Sequence, residues 1–191
     1  MRPENLGLKL TFITSSHLKA GIPVSNVYVT SDWHIGHSRI HEKFRTQFVS
    51  ESDHDSYILK RARDTVSKRD ILIVLGDVTW TSKGLQKIKD ADFPCKMIMI
   101  AGNHDDLPMA DYLTVFDEVR GAWKYKKYWM THIPIHPQEL YRGKNIHGHC
   151  HAGGPDGESY FNAILEFNDY APVSMMEVGN TLASRPTEAV T

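Results

Sequence analysis

Short apolar runs mark out the chain, and polar groups follow each of them at once. Val27-Tyr28-Val29-Thr30, Ile71-Leu72-Ile73-Val74-Leu75, Met97-Ile98-Met99-Ile100 and Lys144-Asn145-Ile146-His147 are too short for helices and rich in β-branched or aromatic residues. Such runs read as strands, and those without polar alternation read as strands buried on both faces, as in parallel sheets. Helical spacing separates them. Ile58, Leu59, Ala62 and Val66 recur at that period within 52–68, where Ser52 and Asp55 resemble a capping box with Asp in place of Glu. Shorter helices are expected at 39–44, at 83–91, and at 107–116 with Pro108 in its first turn. Strand, helix, strand, helix, strand predicts a parallel α/β core. Beyond Gly121 the pattern changes. The aromatic-rich 123–131 reads as a strand, in a hairpin with 116–120, and 160–167 reads as another. Ser174-Met175-Met176-Glu177 opens a terminal helix through a capping box. Near the start, 8–14 alternates and reads as an edge strand.

Composition narrows the class. The chain has 191 residues, 41% of them hydrophobic, enough for one domain with a real core. The expected organisation is an extension at 1–26, a single domain at 27–183 and a tail at 184–191. No run of 18 apolar residues occurs, so no membrane span is expected. The first residues lead into no long apolar segment of a secretory signal. Two lone cysteines, Cys95 and Cys150, form no CxxC pair. They point to a reducing, cytoplasmic setting without a disulfide framework. The net charge of −1 gives no global basic field for nucleic acid. Lys60, Arg61, Arg63, Asp64, Lys68 and Arg69 read as a solvated face. The composition leaves the oligomeric state open.

The chemistry gathers at strand ends. Asp32 and His34, Asp77, Asn103 and His104, His132, and His149 and His151 each follow a predicted strand. Ligands of open α/β sheets bind beyond the carboxyl ends of strands. Asp32 and His34 stand two apart, so on an extended segment their side chains share a direction. Gly102 is expected to let the backbone turn without a Cβ penalty. Imidazole, carboxylate and amide donors without thiolate suit Mn, Fe, Zn or Ni, and do not choose among them. One tetrahedral ion needs fewer ligands than these, whereas two ions sharing a carboxylate would use them all. Plainer readings hold elsewhere. Trp33 and Trp80 are more simply core than platforms for a base. Trp123, Tyr125, Tyr128 and Trp129, with Lys124, Lys126 and Lys127 between them, are more simply a packed strand than a nucleic-acid strip. The Cys150 side chain should point away from its two histidine neighbours, and Asp106 reads as a helix cap.

Asp32-x-His34, Gly76-Asp77, Gly102-Asn103-His104-Asp105, a lone His132 and Gly148-His149-x-His151, in this order after successive strands, resemble the calcineurin-like metallophosphoesterases. The segment 162–177, with Asn168-Asp169-Tyr170-Ala171-Pro172-Val173-Ser174, is similar to the small single-domain branch found in bacteria and their phages. The resemblance implies a four-layer α/β/β/α sandwich with two mixed β-sheets. It implies two divalent metal ions, Mn first, with Fe, Zn, Ni and Mg as alternatives. One would take Asp32, His34, Asp77 and His151. The other would take Asp77, Asn103, His132 and His149, with Asp77 bridging. His104 would protonate the leaving oxygen, oriented by Asp105. The implied activity is hydrolysis of a phosphodiester or phosphomonoester, a nucleotide among the candidates, by a hydroxide bridging the two ions. A nuclease acting on short DNA or RNA is the alternative within enzymes. A non-catalytic metal-binding scaffold is the alternative outside them. His37 is a substrate-side candidate, with a backbone hydrogen bond as its plainer reading. His136 and His147 are not counted as ligands.

Overall fold

The computed structural model describes residues 25–185. The edge strand expected at 8–14, and all but the first two residues of the expected tail, lie outside the described residues. In chain order the elements are β1 (Val27–Thr30), α1 (Ile40–Lys43), α2 (Glu51–Thr65), β2 (Ile71–Leu75), α3 (Ser82–Asp90), β3 (Lys96–Ile100), α4 (Met109–Tyr112), β4 (Glu118–Arg120), β5 (Trp123–Tyr125), β6 (Tyr128–Met130), α5 (Pro137–Leu140), β7 (Lys144–His147), β8 (Tyr160–Asn162), β9 (Val173–Ser174) and α6 (Met175–Ser184). They build two mixed sheets. The first runs β4-β3-β2-β1-β9 and the second β5-β6-β7-β8. In the first sheet β1 to β4 are parallel, and β9 is an antiparallel edge. In the second, β6, β7 and β8 are parallel and β5 is antiparallel.

The unbroken apolar runs are explained by burial on two sides. Leu72 and Val74 of β2, with Met97 and Met99 of β3, pack against Ile58, Leu59 and Ala62 of α2 and Leu85 and Ile88 of α3. The alternate residues Ile73, Leu75, Ile98 and Ile100 face the other way. There they meet Met130 and Ile146 of the second sheet and Val178 and Leu182 of α6. Each fully buried aliphatic side chain stabilises the fold by about 1.5–3 kcal/mol relative to exposure, so both faces favour this register. The outer face of the second sheet is covered by the segment 133–143, including α5. Asn145 accepts the Ile135 N–H at 2.9 Å, and the Tyr160 hydroxyl donates to the Ile135 carbonyl at 2.7 Å. The α/β/β/α order holds, with a thin fourth layer.

Several local expectations are corrected. The cap of α2 is Ser50, whose hydroxyl accepts the Asp53 N–H at 3.1 Å. Ser52 lies inside the first turn, and Asp55 is turned inward and buried. The helix at 107–116 is only the four residues of α4, with Pro108 at its cap position. Asp106 therefore caps nothing. The Tyr112 hydroxyl donates to the Thr79 carbonyl at 2.6 Å, tying the end of this helix to the loop after β2. The stretch 116–120 makes no hairpin with 123–131. As β4 it joins β3 in parallel, Ile98 opposite Glu118. The aromatic run itself divides into β5 and β6, because Lys126 adopts a left-handed φ of 56° and turns the chain. The strand at 160–167 stops at Asn162, whose carboxamide oxygen accepts the Ile164 N–H, and a 3-10 turn follows. The Ser174–Glu177 capping box is present in both directions.

Candidate metal centre

Five parallel strands end on one side of the molecule, and each feeds a loop into the same space. The loops after β1 and β2 run together: the Asp32 N–H donates to the Gly76 carbonyl at 3.0 Å and the His34 N–H to the Asp77 carbonyl at 2.9 Å. Alternation along an extended chain is not what aims Asp32 and His34. Both are left-handed, with φ of 58° and 51°, and so are Asp77 at 51° and His149 at 67°. Few non-glycine residues adopt this region, and each costs on the order of 1–3 kcal/mol. Four of the seven expected ligands thus share an unfavourable backbone state at one place.

Gly102 is also needed for a different reason than expected. Its φ is not left-handed. A Cβ there would lie 2.4 Å from both the backbone N and the Oδ1 of Asp77. The glycine allows close approach of two strand ends. Gly148 does the same, since a Cβ would fall 2.4 Å from Asp32 Oδ2.

Two groups of side chains result. Asp32, His34 and His151 offer donor atoms all within 4.8 Å of one another, and so do Asp77, His132 and His149. Asn103 belongs beside the second group, its Oδ1 2.9 Å from His132 Nε2. Asp77 faces both. Its Oδ2 is 3.9 Å from His34 Nε2, and its Oδ1 is 3.3 Å from His132 Nε2. All seven expected ligands are therefore brought together.

The donor set fits divalent cations. The Nε2 atoms of His34 and His151 lie 3.4 Å apart. Asp32 Oδ1 is buried and accepts no hydrogen bond, although His151 Nε2 stands 3.3 Å from it. A cation between these atoms would satisfy all three. The electrostatics agree. Burial lowers His34 to about 3, against the pull of Asp32, which leaves a neutral ring suited to ligation. Burial pushes Asp77 up, but the hydrogen bond to His132 and its charge, the His104 N–H and His34 together hold it at about 2. The Asp32 carboxylate, close to Nε2, and then Glu166, hydrogen-bonded to Nδ1, raise His151 to about 9. Surrounding carboxylates thus favour a positive charge where that ring stands.

Around these groups, several roles differ from expectation. His104 is exposed beside the cluster, its ring centroid 6.1 Å from that of His34. Asp105 does not orient it. The Asp105 carboxylate accepts the N–H groups of Asp77 at 2.9 Å, Val78 at 2.8 Å, Thr79 at 3.2 Å and Gly102 at 2.8 Å. No hydrogen bond among the described residues joins it to the His104 ring. It positions the turn that carries Asp77. His37 accepts the Arg39 N–H, as its plainer reading held. It also lines a cleft of about 230 Å³ with His34, Phe44, Trp80, His104 and His151. Trp80 stands in that cleft, 4.7 Å from His37 between ring centroids, and so is not core. Trp33 is core, stacked on Phe93. His136 caps α5, and His147 is buried with Nδ1 against the Gly148 carbonyl. Ser31 escaped notice in the sequence. Its hydroxyl oxygen lies against both Asp32 Oδ2 and the Leu75 carbonyl, and donating its one proton to Asp32 holds that carboxylate; a serine at the end of a strand carries no signal of that task.

Fold and site together define a class. The chain belongs to the calcineurin-like phosphoesterase family, whose model matches residues 25–178. It is 26% identical over 161 residues to the uncharacterized protein MJ1445 of Methanocaldococcus jannaschii, covering 78% of this chain and 86% of that one. It is 34% identical over 87 residues to the gene 66 protein of Mycobacterium phage D29, covering 43% of this chain and 41% of that one. The fold is shared with the protein of unknown function AQ665 from Aquifex aeolicus, at a TM-score of 0.62 and 24% identity, over 83% of this chain and all of that one. No helix among the described residues is long and apolar enough to cross a membrane.

Proposed function

We propose that the chain is a dinuclear-metal phosphoesterase that hydrolyses a phosphodiester, with a phosphomonoester as the second substrate class. The observation that carries this reading is the pair of three-residue groups with Asp77 turned toward both. Asp32, His34, Asp77 and His151 would hold one divalent cation, and Asp77, Asn103, His132 and His149 the other. When bound, such a pair supplies positive charge to the phosphoryl oxygens and Lewis acidity for in-line displacement at phosphorus. Mn is the proposed ion, in keeping with a mixed nitrogen and oxygen donor set.

The chain's own groups supply the rest. His104, exposed next to the cluster, donates a proton to the leaving oxygen, so that an alcohol departs instead of an alkoxide. Asp105 keeps the Asp77 turn in place through four main-chain N–H groups. Ser31 and the His149 N–H both donate to Asp32 Oδ2, leaving Oδ1 for the cation. His37 and the indole of Trp80 wall the cleft on the substrate side. Proton donation by His104 would serve a diester and a monoester alike, since both expel an alkoxide, and a comparison of their rates decides between them. A net charge of −1, with no global basic field, favours a small ester over a long nucleic acid. The test is turnover of bis-p-nitrophenyl phosphate against p-nitrophenyl phosphate with Mn²⁺. The diester is expected to show the higher kcat/KM; a clear preference for the monoester would reverse the substrate assignment.

A further inference from the structure

The buried guanidinium of Arg45 lies behind the first group and joins the turn that carries Asp32 to the carboxylate that holds His151. Arg45 has no exposed surface. Its Nη2 donates to the Asp32 carbonyl at 2.6 Å and its Nη1 to the Trp33 carbonyl at 3.2 Å. These are the carbonyls of the left-handed turn that delivers Asp32 and His34. On its other side the fork grips Glu166, Nε to Oε1 at 2.9 Å and Nη2 to Oε2 at 3.1 Å. Glu166 Oε1 then receives His151 Nδ1 at 3.1 Å. The main chain that carries Asp32 and leads to His34, and the ring of His151, are thus held by one cation and its carboxylate partner. The chain continues behind Arg45. Nη1 lies 2.8 Å from His54 Nε2, and His54 Nδ1 lies 2.9 Å from Asp55 Oδ1. Asp55 in turn accepts the Gly36 N–H at 3.0 Å and pairs with Lys87.

The second group has no such support. His132 Nδ1 is 2.7 Å from the Leu75 carbonyl, and no Arg or Lys side chain hydrogen-bonds to Asp77, His132 or His149 among the described residues. A buried ion pair is weak grounds for stability, because well-packed apolar residues often replace one at no loss. A pair that fixes the tautomer and direction of one ligand ring has a different consequence. With Nδ1–H donated to Glu166, the Nε2 lone pair of His151 is left to face Asp32 and His34. Partners of this kind set ligand orientation, and losing one typically costs 10–100-fold in metal affinity.

We propose that Arg45 and Glu166 are positioning residues for the first metal alone, so that the two metal sites depend on different parts of the chain. This rests on the reading that both groups bind metal. The experiment is Mn²⁺ titration of metal-free protein followed by calorimetry, with electron paramagnetic resonance on the same samples. Wild type is expected to take two ions and to show the signal of a coupled pair. Glu166→Gln keeps the shape of the side chain and is expected to weaken one ion by about 10–100-fold, leaving the other within about twofold. At limiting Mn²⁺ its spectrum should be that of an isolated ion. Arg45→Gln should give the same one-site loss. Should Arg45→Gln fail to fold, Glu166→Gln carries the test. Equal weakening of both ions, or no change in either, would overturn the positioning inference while leaving the dinuclear reading intact. A wild type that takes up no Mn²⁺ would overturn both.

Discussion

Asp77→Asn is expected to abolish turnover and to weaken both metal ions in a single step. Among the described residues, Asp77 is the carboxylate that faces both groups, with Oδ2 toward His34 and Oδ1 toward His132. The amide keeps the shape but loses the charge and one of the two oxygens. Two cations held close together repel, and an anionic group between them offsets that repulsion. A fall in kcat of about 10³-fold or more is expected, equivalent to about 4 kcal/mol of transition-state stabilisation. Metal analysis of the purified variant should find fewer than one tightly held ion per chain. The fold should survive, because the Asp77 turn is held by the Asp105 carboxylate and the amide oxygen of the variant can still accept the His104 N–H. An unchanged melting temperature beside lost metal would separate loss of the centre from loss of structure. A variant that retained both ions and near-normal rate would show that Asp77 does not bridge.

His104→Ala should behave otherwise, leaving both ions bound and slowing chemistry according to the leaving group. A positioned general acid contributes typically 10²–10⁴-fold. That benefit applies when the departing oxygen is strongly basic, as in an alkyl ester. A nitrophenolate leaves without help. Rates on a methyl or nucleoside ester should therefore fall by about 10²-fold or more, while rates on bis-p-nitrophenyl phosphate change far less. The measurement is kcat for both ester types at saturating Mn²⁺. An equal loss on both would assign His104 to charge stabilisation or substrate binding rather than proton donation.

The places where the sequence was and was not legible follow physical lines. The strands Ile71–Leu75 and Lys144–His147 could be read to the residue, because the turn signals on either side are strong and the runs are short. The candidate ligands could be read because their residue types are chemically distinctive and each directly follows a strand. Pairing partners were less accessible. Glu118–Arg120 is three residues long, and nothing local distinguishes a parallel partner of β3 from the arm of a hairpin. Backbone handedness was not readable either. Asp32 and His34 converge through left-handed φ values that only the neighbouring loop, hydrogen-bonded to them through Gly76 and Asp77, can enforce. Gly102 was noticed, but its task, close approach to Asp77, depends on a strand some 25 residues earlier. Arg45 and Glu166 were hidden most completely. They lie 121 positions apart, and each alone looks like an ordinary surface charge.

The support around the site is thus made of residues that sequence patterns pass over. Asp105 is the clearest case. A carboxylate next to a candidate acid invites the reading of a dyad, yet its four hydrogen bonds all go to main-chain N–H groups. Its carboxyl is pushed up to about 6 by burial, against those same N–H groups. Asp105 thus serves the Asp77 turn through main-chain N–H groups rather than the His104 ring.

The most direct test of the dinuclear phosphoesterase reading is the rate of bis-p-nitrophenyl phosphate hydrolysis, followed as Mn²⁺ is added in counted equivalents to metal-free protein. Two ions per chain should bind, with full turnover reached only when the second is in place. Two bound ions with no turnover of this ester or of p-nitrophenyl phosphate would contradict it.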